Sequence, residues 1–161
     1  MVTEMEILTE YNNLLKSKTC FIYTLSYMAD KLVYVRLFNS KADEFCKDLV
    51  ITFPEVNEFK QLKSALLLLK NLDEKKPREF FNKFLTTEIR EKLIGRDESF
   101  FMNEVHEHVH IVQDIQGIDH SQWEDVVNLL RELWSGLNDS NKDTIWKYFH
   151  VLIAVSEKCN A

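Results

Sequence analysis

Turn chemistry is what this chain has least of. Three glycines and two prolines are spread over 161 residues. That is too few to close the tight turns of a many-stranded sheet, where glycine supplies positive φ and proline pre-sets the turn. Between them lie long segments rich in Leu, Glu, Lys and Phe, residues that pay little to enter a helix or that pack well on its buried face. An all-α fold follows. The length is that of one domain, enough to bury a core without covalent staples.

The periodicity divides the chain into six or seven helices. Thr3 and Glu6 form a capping-box pattern, and Ile7, Leu8, Tyr11, Leu14 and Leu15 then mark a first helix over about residues 4–16. Residues 19–38 are ambiguous. Cys20 to Tyr23 and Val33 to Val35 are strand-prone and flank a turn-like Ala29-Asp30-Lys31, so a short hairpin is the alternative to a buried helix. Helix is the preferred reading, because a lone hairpin is marginal. Ser40 is the expected cap of the next helix, which carries Phe45, Leu49 and Phe53 on one face and stops at Pro54.

A long amphipathic helix with Val56, Phe59, Leu62, Leu66, Leu69 and Leu72 comes next. Pro77 then opens a helix holding Phe80, Phe81 and Phe84, and Thr87 starts another that Gly95 can end in the left-handed conformation. Residues 96–120 are polar and acidic and read as a loop. Asp119 or Ser121 can cap a helix whose stripe runs from Trp123 to Leu137, and Ser140 and Asp143 are the expected caps of the last helix. The sum is an irregular helical bundle in a single domain over 33–161, with 1–32 as an N-terminal extension.

Between Ile145 and Val155 only Lys147 and His150 are polar, which makes that last helix apolar nearly all round. Such a helix belongs at the centre of a bundle, against the stripes 62–72 and 123–137, or on a second copy. His150 reads as an ordinary member of its polar stripe. Phe80, Phe81 and Phe84 read as core rather than ligand pocket, and Cys46 as a small interior residue.

Net charge is −6, and its excess lies in the second half: residues 1–80 carry 12 basic and 12 acidic side chains, residues 81–161 carry 8 and 14. No basic stripe is available to a phosphate backbone, so no nucleic-acid partner is expected. The apolar runs are too short to span a bilayer, so no membrane partner is expected either. Cys20, Cys46 and Cys159 are odd in number and scattered, with no thiolate zinc spacing, which suits a reducing compartment.

One motif offers chemistry. His106-Glu107-His108-Val109-His110 reads H-E-x-x-H, and residues four apart on a helix share a face, so His106 and His110 could grip zinc while Glu107 polarises a water. The surroundings do not fit. Glu104 brings charge where such helices are apolar, Gln113 and Gln116 stand where the extended form wants Gly and His, and Leu130 stands near where the other form wants Glu. Read as a strand, His106, His108 and His110 would share one side, but no sheet is evident to support them. With no phosphate loop and no nucleophile elbow either, no catalytic residue and no cofactor is assigned. A small zinc-dependent hydrolase is the alternative to a non-enzymatic protein.

The stretches "LFNSKADEFCKDLVITFPEVNEFK" and "NKDTIWKYFHVLI" resemble matching segments of small, uncharacterised helical proteins of large DNA viruses that infect algae and protists. The resemblance covers about Val33 to the C-terminus. It leaves residues 1–32 outside and makes Met28 a candidate internal start. It implies a helical fold and an accessory or virion protein in the host cell cytoplasm, binding an unidentified viral or host protein or forming a homodimer. It implies no reaction.

Overall fold

The computed structural model describes residues 4–104, 125, 128–129 and 131–160. The chain is all-α, a single-domain helical fold. Five α-helices are described: α1 Glu4–Thr52, α2 Asn57–Leu72, α3 Lys76–Phe84, α4 Thr87–Ile94 and α5 Asp139–Lys158. A π-helical turn, Phe100–Glu104, follows α4, and residues 128–129 and 131–134 are also helical.

The first 52 residues differ most from expectation. The helix over 4–16, the hairpin alternative near 19–38 and the helix capped by Ser40 are replaced by one helix of 49 residues. At 1.5 Å per residue it is about 70 Å long. Helix prevails over strand because Val35, Phe38, Ala42, Cys46 and Leu49 are all buried, at intervals of three or four that only a helix gathers on one side. Ser40 is an exposed mid-helix residue rather than a cap. Asn39, beside it, is the polar residue that works: its side-chain Nδ2 donates to the Glu74 carbonyl at 2.7 Å. Pro54 ends the helix as expected, since it has no N–H to continue the ladder and disfavours α geometry at Phe53. Phe53 N still donates to Leu49 O at 2.9 Å, the last bond of the series.

Two end signals are shifted by a residue or two. Gly95 has ordinary right-handed φ of −73°, and the left-handed residue is Arg96 at φ 54°. Arg96 N donates to Leu93 O at 3.3 Å and Asp97 N to Lys92 O at 3.0 Å, which is the double bond of a Schellman ending. Gly95 is small for another reason: a Cβ there would sit 3.1 Å from the Glu91 carbonyl oxygen. At α5 the cap is Asn138, whose side chain accepts from Asn141 N at 2.8 Å. Ser140 and Asp143 lie inside the helix, and Asp143 instead pairs with Lys147 and Arg96.

The core is largely aromatic. Trp134 meets Trp146 edge-on at 5.1 Å, Phe45 stacks on Tyr148 at 4.8 Å and meets the edge of Phe149, and Phe38 lies against Phe81 at 5.3 Å. Leu69, Phe80, Phe84, Ile89, Leu93, Phe100, Ile145 and Ile153 join the tryptophan pair in the main cluster. The burial of Phe100 corrects the reading of 96–120 as loop from its start, since the π-helical turn seats this ring in the core. α5 packs on α1 and α4, while α2 packs on α1 and α3. The last helix is therefore held chiefly by α1; of the leucine stripe 62–72, Leu69 joins its buried cluster while Leu72 is exposed. It is also not buried all round: Lys147, Val151, Ala154 and Lys158 share an exposed face.

Candidate functional site

His106, Glu107, His108 and His110 lie outside the described residues. Among the described residues no group of three or more His, Cys, Asp and Glu side chains is placed to hold a metal ion. The chemistry of the described side chains can be read from three places: the contact between α4 and α5, a cleft between α1 and α2, and the N-terminal half of α1.

His150 is not on the polar surface. Its ring Nε2 lies 3.1 Å from the Leu93 carbonyl oxygen, half-buried, where an imidazole N–H adds a second donor to the carbonyl that already accepts from Arg96 N. Ion pairs flank it. Arg90 binds Glu157, Arg96 binds Asp143 at 2.8 Å, and Lys142 binds Glu98 at 3.1 Å. The Lys147 and Arg96 bonds hold the Asp143 carboxyl below its ordinary value, and the Arg90 bond does the same for Glu157. Arg78 donates to the Ser156 carbonyl and to Asn160 Oδ1, while the Ser156 hydroxyl donates to Asn82. These contacts fasten α5 at both ends and leave His150 no acid or nucleophile partner among them. They are a structural clasp.

The cleft has a volume of about 130 Å³ and is lined by Asn39, Asp43, Cys46, Lys63, Lys70 and Pro77, among others. Its residue types suggest nucleophilic chemistry, but the electrostatics oppose it. Burial, reinforced by Asp43, pushes the Cys46 thiol up to about 12, so the thiolate that would act as nucleophile is suppressed. Asp43 is held down as a carboxylate by its bond to Lys47. The Asn39 Oδ1 atom is buried beside the cleft with no hydrogen-bond partner among the described residues. A site of this size with that acceptor suits ordered water. Cys46 is interior, as expected, and so are Phe80 and Phe84.

The third place is a surface. Every residue from Lys16 to Asp30 is exposed, including Phe21, Ile22, Tyr23, Leu25, Tyr27 and Met28. Periodicity flagged this segment as an ambiguous, buried element; its exposure is legible only once the rest of the chain is placed. Contiguous apolar exposure on this scale marks interaction sites in folded proteins. Among the described residues no helix is long and apolar enough to cross a membrane.

What the fold defines is a class, an all-α bundle with a protruding apolar helix face. No family model matches the chain, and neither a curated protein nor a solved structure matches it.

Proposed function

We propose that the protein is a non-enzymatic helical module that binds another protein. The observation that carries this reading is the exposed apolar N-terminal half of α1, set beside a body whose polar groups are engaged in holding helices together. On the resemblance of residues 33–161 to proteins of large DNA viruses, it acts as a viral accessory or virion component in the host cytoplasm.

The test is affinity capture from infected cells, with the intact chain and with Phe21→Glu/Leu25→Glu side by side. A partner recovered by the first and lost by the second supports the reading. Zinc bound at one equivalent and lost on His110→Ala, together with a hydrolytic activity lost in the same variant, would replace it with the hydrolase alternative.

A further inference from the structure

One flank of α2 carries charge of the opposite sign to the rest of the molecule. The chain is acidic, at −6, yet from Phe59 to Leu72 it holds Lys60, Lys63 and Lys70 and no acidic side chain. At about 100° per residue these lysines and Leu67 fall within about 80° of one another, so they share one face of the helix. None of the three forms an ion pair among the described residues. Like charges gathered on one face work against a helix rather than for it.

That face borders the cleft between α1 and α2. Lys63, Leu67 and Lys70 belong to its α2 wall, and Ala42, Asp43 and Cys46 to its α1 wall. Asp43 is the one carboxylate in the lining, and it is already bonded to Lys47 at 2.7 Å. Lys47 is the main reason its carboxyl is held below the ordinary value, and Lys63 and Lys70 add to the effect from across the cleft. The mouth keeps a positive excess: Lys47, Lys60, Lys63 and Lys70 face the single charge of Asp43. Between these charges the walls are apolar, with Ala42, Leu66 and Pro77 inside and Leu67 at the lip, 55% exposed.

Size, spacing and sign together select the occupant. The cleft holds about 130 Å³. An apolar cavity of about 150 Å³ accepts a benzene ring, so one side chain of leucine or phenylalanine size fits here, displacing the water of the free protein. Lys63 and Lys70 stand two turns apart, about 10 Å along α2. Two carboxylates three residues apart on an extended chain are also about 10 Å apart, a spacing that a single small anion does not offer. Three lysines fall short of the roughly six phosphate contacts by which proteins hold a nucleic-acid backbone. We propose that this cleft docks an acidic segment of a partner protein, one apolar side chain entering between Ala42 and Leu67 and a carboxylate on either side of it meeting Lys63 and Lys70. This deepens the interaction-module reading and rests on it, but it uses a different face from the exposed residues 16–30 of α1.

The experiment is selection from a random peptide library on the immobilised full chain, followed by fluorescence polarisation with the recovered peptides. These should carry Asp or Glu on both sides of a Leu, Met or Phe, and should bind more weakly as salt rises. Lys63→Glu/Lys70→Glu should weaken them by about 30-fold or more and Lys63→Gln/Lys70→Gln by about tenfold, as should serine in place of the peptide's apolar residue. Lys70 is exposed and Lys63 half-buried, so the thermal transition should survive both pairs, and the glutamine pair decides the matter if the glutamate pair does not fold. Recovery of no peptide, peptides without an acidic bias, or acidic peptides whose affinity neither pair moves overturns the proposal. So does displacement of the peptide by inorganic phosphate at equal concentration, which would mark a bare anion site, or binding of phosphatidylserine-rich vesicles in place of any peptide, which would give the lysines to a lipid surface. The broader reading fails separately: it stands without the cleft if Phe21→Glu/Leu25→Glu still removes a captured partner, and falls if neither that pair nor the lysine pairs change what is captured.

Discussion

Phe21 and Phe38 stand on the same unbroken helix, yet Phe21 is 64% exposed and Phe38 is 2% exposed. Both belong to apolar stretches with helical spacing, and nothing in their immediate neighbours separates them. What separates them is where the rest of the chain lies. α2, α3 and α5 gather on the C-terminal half of α1 and leave residues 16–30 exposed. Periodicity thus reports that a face is meant to be covered, and is silent on whether the cover comes from the same molecule.

Identical substitutions in the two halves give the largest contrast. Phe38→Ala removes a ring packed on Phe81 and should cost about 3–5 kcal/mol, a large part of the stability of a domain this size. Trp146→Ala should do the same by breaking its contact with Trp134. Phe21→Ala should move the body's stability by less than about 0.5 kcal/mol and act on association instead. Denaturant melts at low protein concentration would show this, and equal losses for Phe21→Ala and Phe38→Ala would erase the distinction between the halves.

A smaller effect is expected at Arg96, where the chain turns from α4 towards the π-helical turn. A β-branched residue is poorly suited to the left-handed backbone that Arg96 adopts, so Arg96→Val should cost about 1–2 kcal/mol. Arg96→Gly should differ from the parent by less than about 1 kcal/mol, since relief of the backbone offsets loss of an exposed ion pair with Asp143. Chemical denaturation of both variants checks the ordering.

The response to acid is smaller again and has a defined direction. Asp43, Asp97, Asp143 and Glu157, all in the body, have carboxyls held below their ordinary values of 3.8 and 4.5. A folded value below the unfolded one gives stability that is present above the unfolded value and is lost as pH falls through the folded value. The melting temperature should be level near neutrality and decline below about pH 4.5, less steeply in high salt because these groups are exposed. A melting temperature that rises on acidification would contradict the ion-pair assignment.

The smallest effect on the body is expected from the largest deletion. Removing residues 1–27 takes away the exposed residues 16–27 and none of the described buried set, which begins at Val35, so the cooperative transition should remain, shifted by less than about 0.5 kcal/mol. Loss of that transition would mean the N-terminal half packs on its own body.

Much of the body was legible because its signals are local. Pro54 and Pro77 act through their missing N–H and fixed φ wherever they stand, and Val56, Phe59 and Leu69 are buried where the spacing put them. Caps were legible only to within a residue or two, since Asn138, Ser140 and Asp143 offer the same acceptor chemistry and only the turn geometry chooses among them. Ser40 and the Ala29-Asp30-Lys31 trio look like punctuation but lie inside α1, where an exposed polar residue costs a helix little. The role of His150 was not legible at all: its partner is the Leu93 carbonyl, 57 residues away, and no spacing rule reaches that far. The motif at His106–His110 stays a pattern of the sequence, outside the described residues.

The central claim is that α1 is covered by its own chain only over its C-terminal half, residues 16–30 being left exposed. Hydrogen exchange over residues 16–30 and 35–49 of the isolated chain at low protein concentration tests it most directly. The account predicts fast exchange over 16–30 and strong protection over 35–49. If 16–30 is protected as strongly as 35–49, the chain itself covers it and the claim is wrong.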